Sequence, residues 1–166
     1  MIIDYTFFQD GLLRVDGAMA LAAPSATNEG IRNAISSFIE KYEPEYLNRL
    51  LGDKLCSDFL KSHEERVYKW DELETILVTG DSFKCSPIAN YVYFFMLRSF
   101  HADATINGVK ADHDEGSLIS PQQKMIDAWN DMVKMNKKVV KWLENANLKD
   151  WELDYALLET INRFGI

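Results

Sequence analysis

The chain has 166 residues, enough for one domain on the usual scaling of roughly 150 residues per domain, and about 70% of its open-chain surface should be buried on folding. Its 47% hydrophobic and 27% charged residues are ordinary globular usage, which excludes a disordered or low-complexity chain. Eighteen basic against 26 acidic residues leave a formal charge of -8, so tight nucleic-acid binding would need a local basic face strong enough to outweigh that field.

The first segment has a period of two. Ile3, Tyr5 and Phe7 alternate with Asp4 and Thr6, and Asp10-Gly11 leads into Leu12-Leu13-Arg14-Val15, a pattern that predicts a short β-hairpin or extended arm. A lone hairpin is marginally stable, so it must lie on its own bundle or on a neighbouring subunit. Residues 16–27, with Gly17, Pro24 and Ser25, read as a linker, which divides the chain into an arm and linker at 1–26 and a helical domain at 27–166. No basic n-region precedes the apolar stretch at Ala18–Ala23, so a secretory signal is not expected and the protein reads as intracellular.

Everything after the linker reads as helix. Ile31, Ile35, Phe38, Ile39 and Tyr42 lie on one helical face, and Pro44 is expected to end that helix and begin another carrying Tyr46, Leu47, Leu50 and Leu51. Gly52 is the natural stop, Asp53 a restart towards Leu55, Phe59 and Leu60, and Val67, Trp70, Leu73 and Leu77 form the next helix, ended by Gly80. Ser86-Pro87 and Ser120-Pro121 each combine a cap with a first-turn proline, and Gln123 stands at the capping-box position. The helix after Pro87 is apolar almost all round and should be the most buried, although its run Ile88–Leu97 is too short for a membrane span. Asn107-Gly108 opens a polar loop reaching Ser117, and Asp150 caps a last helix carrying Leu153, Leu157, Ile161 and Phe164. The expectation is an all-α bundle of five to six helices around a central apolar helix.

Motifs for chemistry are few. Cys56 and Cys85 form no CxxC pair, and the three histidines have no carboxylate three residues away, as a Glu-x-x-His di-metal bundle requires. Asp112-His113-Asp114-Glu115 begins like a calcium loop, but Gly116 and Gln123 stand where ligands are needed, so it reads as a solvated acidic loop. Asp71, Glu72 and Glu74 flank an apolar stripe in the manner of solvated charges. No catalytic, cofactor or metal residue is therefore assigned, although an unrecognised pocket built from His63, His101 and Asp103 stays open. The most specific pattern is basic. Lys134, Lys137, Lys138 and Lys141 fall within about 60° of one direction on a helix, opposite Trp129, Met132, Val133, Val140 and Leu143. Such a strip is either a solvated face or a docking surface for an acidic partner or a phosphate backbone. With Phe7, Phe8, Leu12 and Leu13 of the arm, the four lysines are the candidate protein-interface residues.

The run Phe38-Ile39-Glu40-Lys41-Tyr42-Glu43-Pro44-Glu45-Tyr46-Leu47, continued by Leu50-Leu51-Gly52 and Phe59, resembles a family of small helical head-to-tail connector proteins of tailed bacteriophages and prophages. Ser86–Tyr93, the Ala102–Lys110 stretch, and Ser120-Pro121 leading to Ala128–Met132 are similar to it as well, so that the likeness covers most of residues 31–143. The resemblance implies a non-enzymatic adaptor that forms a ring beneath the portal. Its partners would be further copies of itself and portal or tail proteins, in the bacterial cytoplasm during assembly and then in the virion. It implies no cofactor, no membrane and no specific nucleic-acid binding beyond transient contact with traversing DNA, which an acidic lumen would repel. The lysine strip would then face neighbouring subunits and the arm would join them. The alternative from the residues alone is an intracellular helical interaction or regulatory module.

Overall fold

The computed structural model describes residues 1–15, 18, 26–65, 70–79, 85–106, 120–148 and 150–163, with the backbone alone at 26–28 and 101–106. Four helices carry the described chain: α1 (Ala26–Glu64), α2 (Asp71–Thr79), α3 (Pro87–Ile106) and α4 (Pro121–Asn145). The described residues include no strand, so the all-α expectation holds while the hairpin and the count of five to six helices do not. The expected linker at 16–27, the Gly80 stop, the polar loop with its acidic cluster and Phe164 fall wholly or largely outside the described residues.

α3 is the centre of the bundle. Every residue from Ser86 to Phe94 is buried, and α3 packs most extensively on α4 and next on α1. Tyr91 meets Tyr46 of α1 at 5.2 Å between ring centroids and Trp129 of α4 at 6.2 Å, so aromatic contacts tie the three long helices together. The Ser86 hydroxyl caps α3 by accepting from the Ala89 amide, and it donates to the Leu77 carbonyl, which fastens α2 to the start of α3. Ser120 caps α4 through the Gln123 amide, with Pro121 in the first turn, but the Gln123 side chain turns to Asp127 and leaves the capping box half formed.

Pro44 does not end a helix. α1 runs through it, and both Pro44 and Glu40, whose carbonyl loses its partner there, are exposed and open to water. The break comes at Gly52, which adopts φ +74° and ψ 165° and is buried. That kink frees carbonyls at the end of the first arm of α1, and they are taken up from elsewhere in the chain: the Asp154 amide donates to Arg49 O at 2.8 Å and the Glu152 amide to Leu51 O at 3.3 Å.

The hairpin is replaced by a 3-10 turn at Tyr5–Phe8, because the Asp4 carboxylate accepts from the Thr6 amide and closes a turn where a strand needs extended backbone. The turn expected at Asp10-Gly11 does form: Gly11 has φ +75°, and the Val15 amide donates to Phe8 O across the loop. The last expected helix is also absent. Residues 150–163 form an irregular strap with one 3-10 turn, Tyr155–Leu158, capped by Asp154. Leu153, Leu157 and Ile161 have helical spacing, but the strap's main-chain groups are bonded to α1 and α4 and not along a helix of their own.

Gly52 serves two constraints at once, the left-handed φ and the closeness of the strap: a Cβ at 52 would lie 2.9 Å from both the amide nitrogen and Cβ of Glu152. Gly52→Ala is expected to destabilise the fold by about 2 kcal/mol or more in urea denaturation. Gly30→Ala, in open space on α1, should instead stabilise by ~0.5–1 kcal/mol, which separates local geometry from a general intolerance of alanine.

Candidate interaction surfaces

The four lysines of the strip are all exposed on α4, opposite a buried face of Trp129, Met132, Val133, Asn136, Val139 and Leu143. Lys134 pairs with Asp131 at 2.7 Å, and that bond lifts its pKa above the ordinary lysine value. Lys137 and Lys141 have no ion pair among the described residues, so their charges face solvent. The helix thus presents a cationic face on an acidic chain.

The arm residues divide. Phe8 is fully buried and stacks on Tyr93 at 6.4 Å, and Leu13 is also in the core, so these two hold the arm to its own bundle. Phe7 is half-buried, whereas Leu12 stands 87% exposed at the tip of the Gly11 turn. The arm is pinned by Glu43, a carboxylate only 3% exposed that accepts from the Ile2 and Ile3 amides at 2.9–3.0 Å and lies 3.8 Å from the Met1 nitrogen. Charged acceptors make the stronger class of hydrogen bond, and this one closes a contact across 40 residues. Sequence reading missed it. The available signal was that Glu43 interrupts the apolar spacing Ile35, Ile39, Tyr46, Leu50 on the buried side of α1.

The strap is held in the same way from α4. Asn136, fully buried, accepts from the Tyr46 hydroxyl and donates to Leu157 O at 2.9 Å, beside the buried Leu157 side chain. The Trp129 indole donates to Glu159 O at 2.8 Å, and the Asn130 amide both donates to Ile161 O and accepts from Ile161 N. At the other end Arg49 grips Asp154 at 2.8 Å and donates to the Tyr91 hydroxyl, which in turn donates to Glu45. The Ala156 amide, and after it Arg49, hold the Asp154 carboxyl below the usual carboxylate range, while burial pushes the Tyr91 and Tyr46 hydroxyls up.

Between arm, α3, α4 and strap lies a half-open groove of about 570 Å³. It brings together Leu12, Leu13 and Lys134 of the candidate interface residues, and leaves Phe7, Phe8, Lys137, Lys138 and Lys141 outside its walls. Its floor and rim are Tyr93, Ala128 and Ile161 with the amides of Asn90 and Asn130 and the charges of Lys124, Asp127 and Asp131. The groove suits contact with another molecule's side chains, since its walls offer apolar surface, amides and balanced charge.

Elsewhere, His63 of α1 lies 3.1 Å from Glu74 of α2, and the side chains of His101 and Asp103 are outside the description. Among the described residues no three His, Cys, Asp or Glu side chains gather as a metal site would require. Burial raises the Cys56 thiol pKa, and Cys85 packs 3.8 Å from the Met135 sulfur. No described helix is long and apolar enough to cross a membrane.

No known protein family, no curated protein and no solved structure matches the chain.

Because Glu43 is the arm's polar anchor, Glu43→Ala leaves the buried Ile3 amide and the part-buried Ile2 amide without their acceptor. It is expected to cost about 2–4 kcal/mol and to open residues 1–15 to limited proteolysis while the helical circular dichroism signal is retained. Unchanged cleavage and stability would show that Phe8 and Leu13 hold the arm without it.

Proposed function

We propose that the protein is a non-enzymatic structural subunit of the connector that joins head to tail in a tailed bacteriophage or prophage, assembling with further copies of itself and with portal or tail proteins. The observation that carries this reading is the lysine face of α4: four exposed cations on one side of a helix whose other side is core, in a chain of net charge -8. A surface of that kind docks on acidic protein, and the setting is taken from the resemblance to connector proteins read over most of residues 31–143 of the sequence alone. The acidic remainder suits a subunit beside a DNA path, where a repelled polyanion slides instead of binding.

In phage particles purified from the source strain, mass spectrometry is expected to find this chain at the copy number of a ring component. Reversing Lys134, Lys137, Lys138 and Lys141 to Glu should lower particle yield at least tenfold without unfolding the protein, because all four side chains are exposed. Absence of the chain from particles that contain capsid and portal proteins would discard the connector in favour of an intracellular helical interaction module.

A further inference from the structure

Leu12 is an apolar knob. It is 87% exposed, it sits at the tip of a turn set by the left-handed φ of Gly11, and Phe8 and Leu13 beneath it are buried, so its position is fixed by packed neighbours. The recess next to it is the groove of about 570 Å³, whose apolar lining includes Leu13, Tyr93, Ala128 and Ile161. Leu12 is itself one wall of that groove, so knob and recess lie on the same face of the molecule.

We propose that two copies of the free chain pair about a two-fold axis, each inserting Leu12 into the other's groove. A knob and a hole on opposite faces generate a ring or filament, but a knob and a hole on one face are satisfied together only when two such faces meet. Charge favours the same occupant. The groove's rim carries Lys124 and Lys134 against Asp127 and Asp131, and the knob is flanked by Asp10 and Arg14, so both halves of the contact are locally neutral. On a chain of net charge -8 this is a place where two copies meet without the repulsion that separates them elsewhere. Lys124, Asp127, Asp131 and Lys134 border the recess and offer the polar rim that a buried apolar contact requires. Pairing of the free chain through Leu12 and the groove is independent of any connector role.

Analytical ultracentrifugation of the full chain over a wide concentration range tests it, with Leu12→Glu as the variant. The substitution touches an exposed side chain, so circular dichroism should stay as in the parent, while melting temperature should match the parent's only at concentrations where both are single copies and lose the parent's rise with concentration. The parent is expected to sediment as two copies, and Leu12→Glu to weaken pairing about a hundredfold or more, since two leucines leave the interface together. As a positional check, Leu12→Cys mixed with Thr160→Cys, a strap position lining the groove, should form an inter-copy disulfide, while Leu12→Cys mixed with Glu144→Cys, exposed on α4 outside the groove, and the oxidised parent should not. A parent that remains a single copy, one that forms assemblies larger than two, or one that pairs equally well with Glu at position 12 would overturn the proposal. So would native mass spectrometry that finds the groove filled by a different molecule.

Discussion

Main-chain amides and carbonyls that lie outside a helix must find partners before they can be buried, and in this protein side chains of α1 and α4 provide many of them. Glu43 takes the Ile2 and Ile3 amides. Asn136, Trp129 and Asn130 take main-chain groups of Leu157, Glu159 and Ile161. Both irregular ends are therefore lashed to the bundle by helix residues at fixed positions. A neutral bond of this kind contributes about 1 kcal/mol net, but an orphaned buried partner costs ~1–3 kcal/mol, so the arrangement is sensitive chiefly to loss of the helix side chain.

The kink at Gly52 belongs to the same scheme. A straight helix would use its own amides on Arg49 O and Leu51 O, leaving the strap no main-chain acceptors on α1. The break releases those carbonyls, the absence of a Cβ admits Glu152, and Arg49 adds a charged grip on Asp154. Tyr91 connects this node to the centre of the bundle, since its hydroxyl lies between Arg49 and Glu45 and its ring touches Tyr46 and Trp129. The groove that carries the proposed pairing is a consequence: arm and strap approach from opposite ends of the chain and leave a recess where they flank α3 and α4.

The helices were legible where periodicity and caps agreed. Ile35 and Ile39, the apolar run after Ser86-Pro87 and the exposed lysine face of α4 follow from local patterns in which each residue reports its own face, although the core face there takes Val139 fully and the expected Val140 only in part. The ends were misread for a common reason. Ile3, Tyr5 and Phe7 alternate like a strand, and Leu153, Leu157 and Ile161 repeat like a helix, but in both cases residues far off in the sequence decide the backbone. Pro44 does not break α1 as its residue type suggests, since a proline on the solvent side of a long helix loses only one hydrogen bond that water can replace. Of the candidate interface residues, the lysines follow from their spacing. The burial of Phe8 and Leu13 beside the exposure of Leu12 does not, because it depends on where the arm docks. Glu43 carries the sequence signal for the docked arm: a carboxylate in an apolar stripe implies donors brought from elsewhere.

Side chains and freed carbonyls of α1 and α4 hold the two ends as firmly as the core. Amide-resolved native-state hydrogen exchange tests it most directly. The Ile3, Asp154 and Ile161 amides, which donate to Glu43, Arg49 O and Asn130, should be protected to a level comparable with Val133 at the buried centre of α4. Exchange at those three positions as fast as in exposed loops, with Val133 still protected, would contradict it and leave a helical bundle with two loosely attached ends.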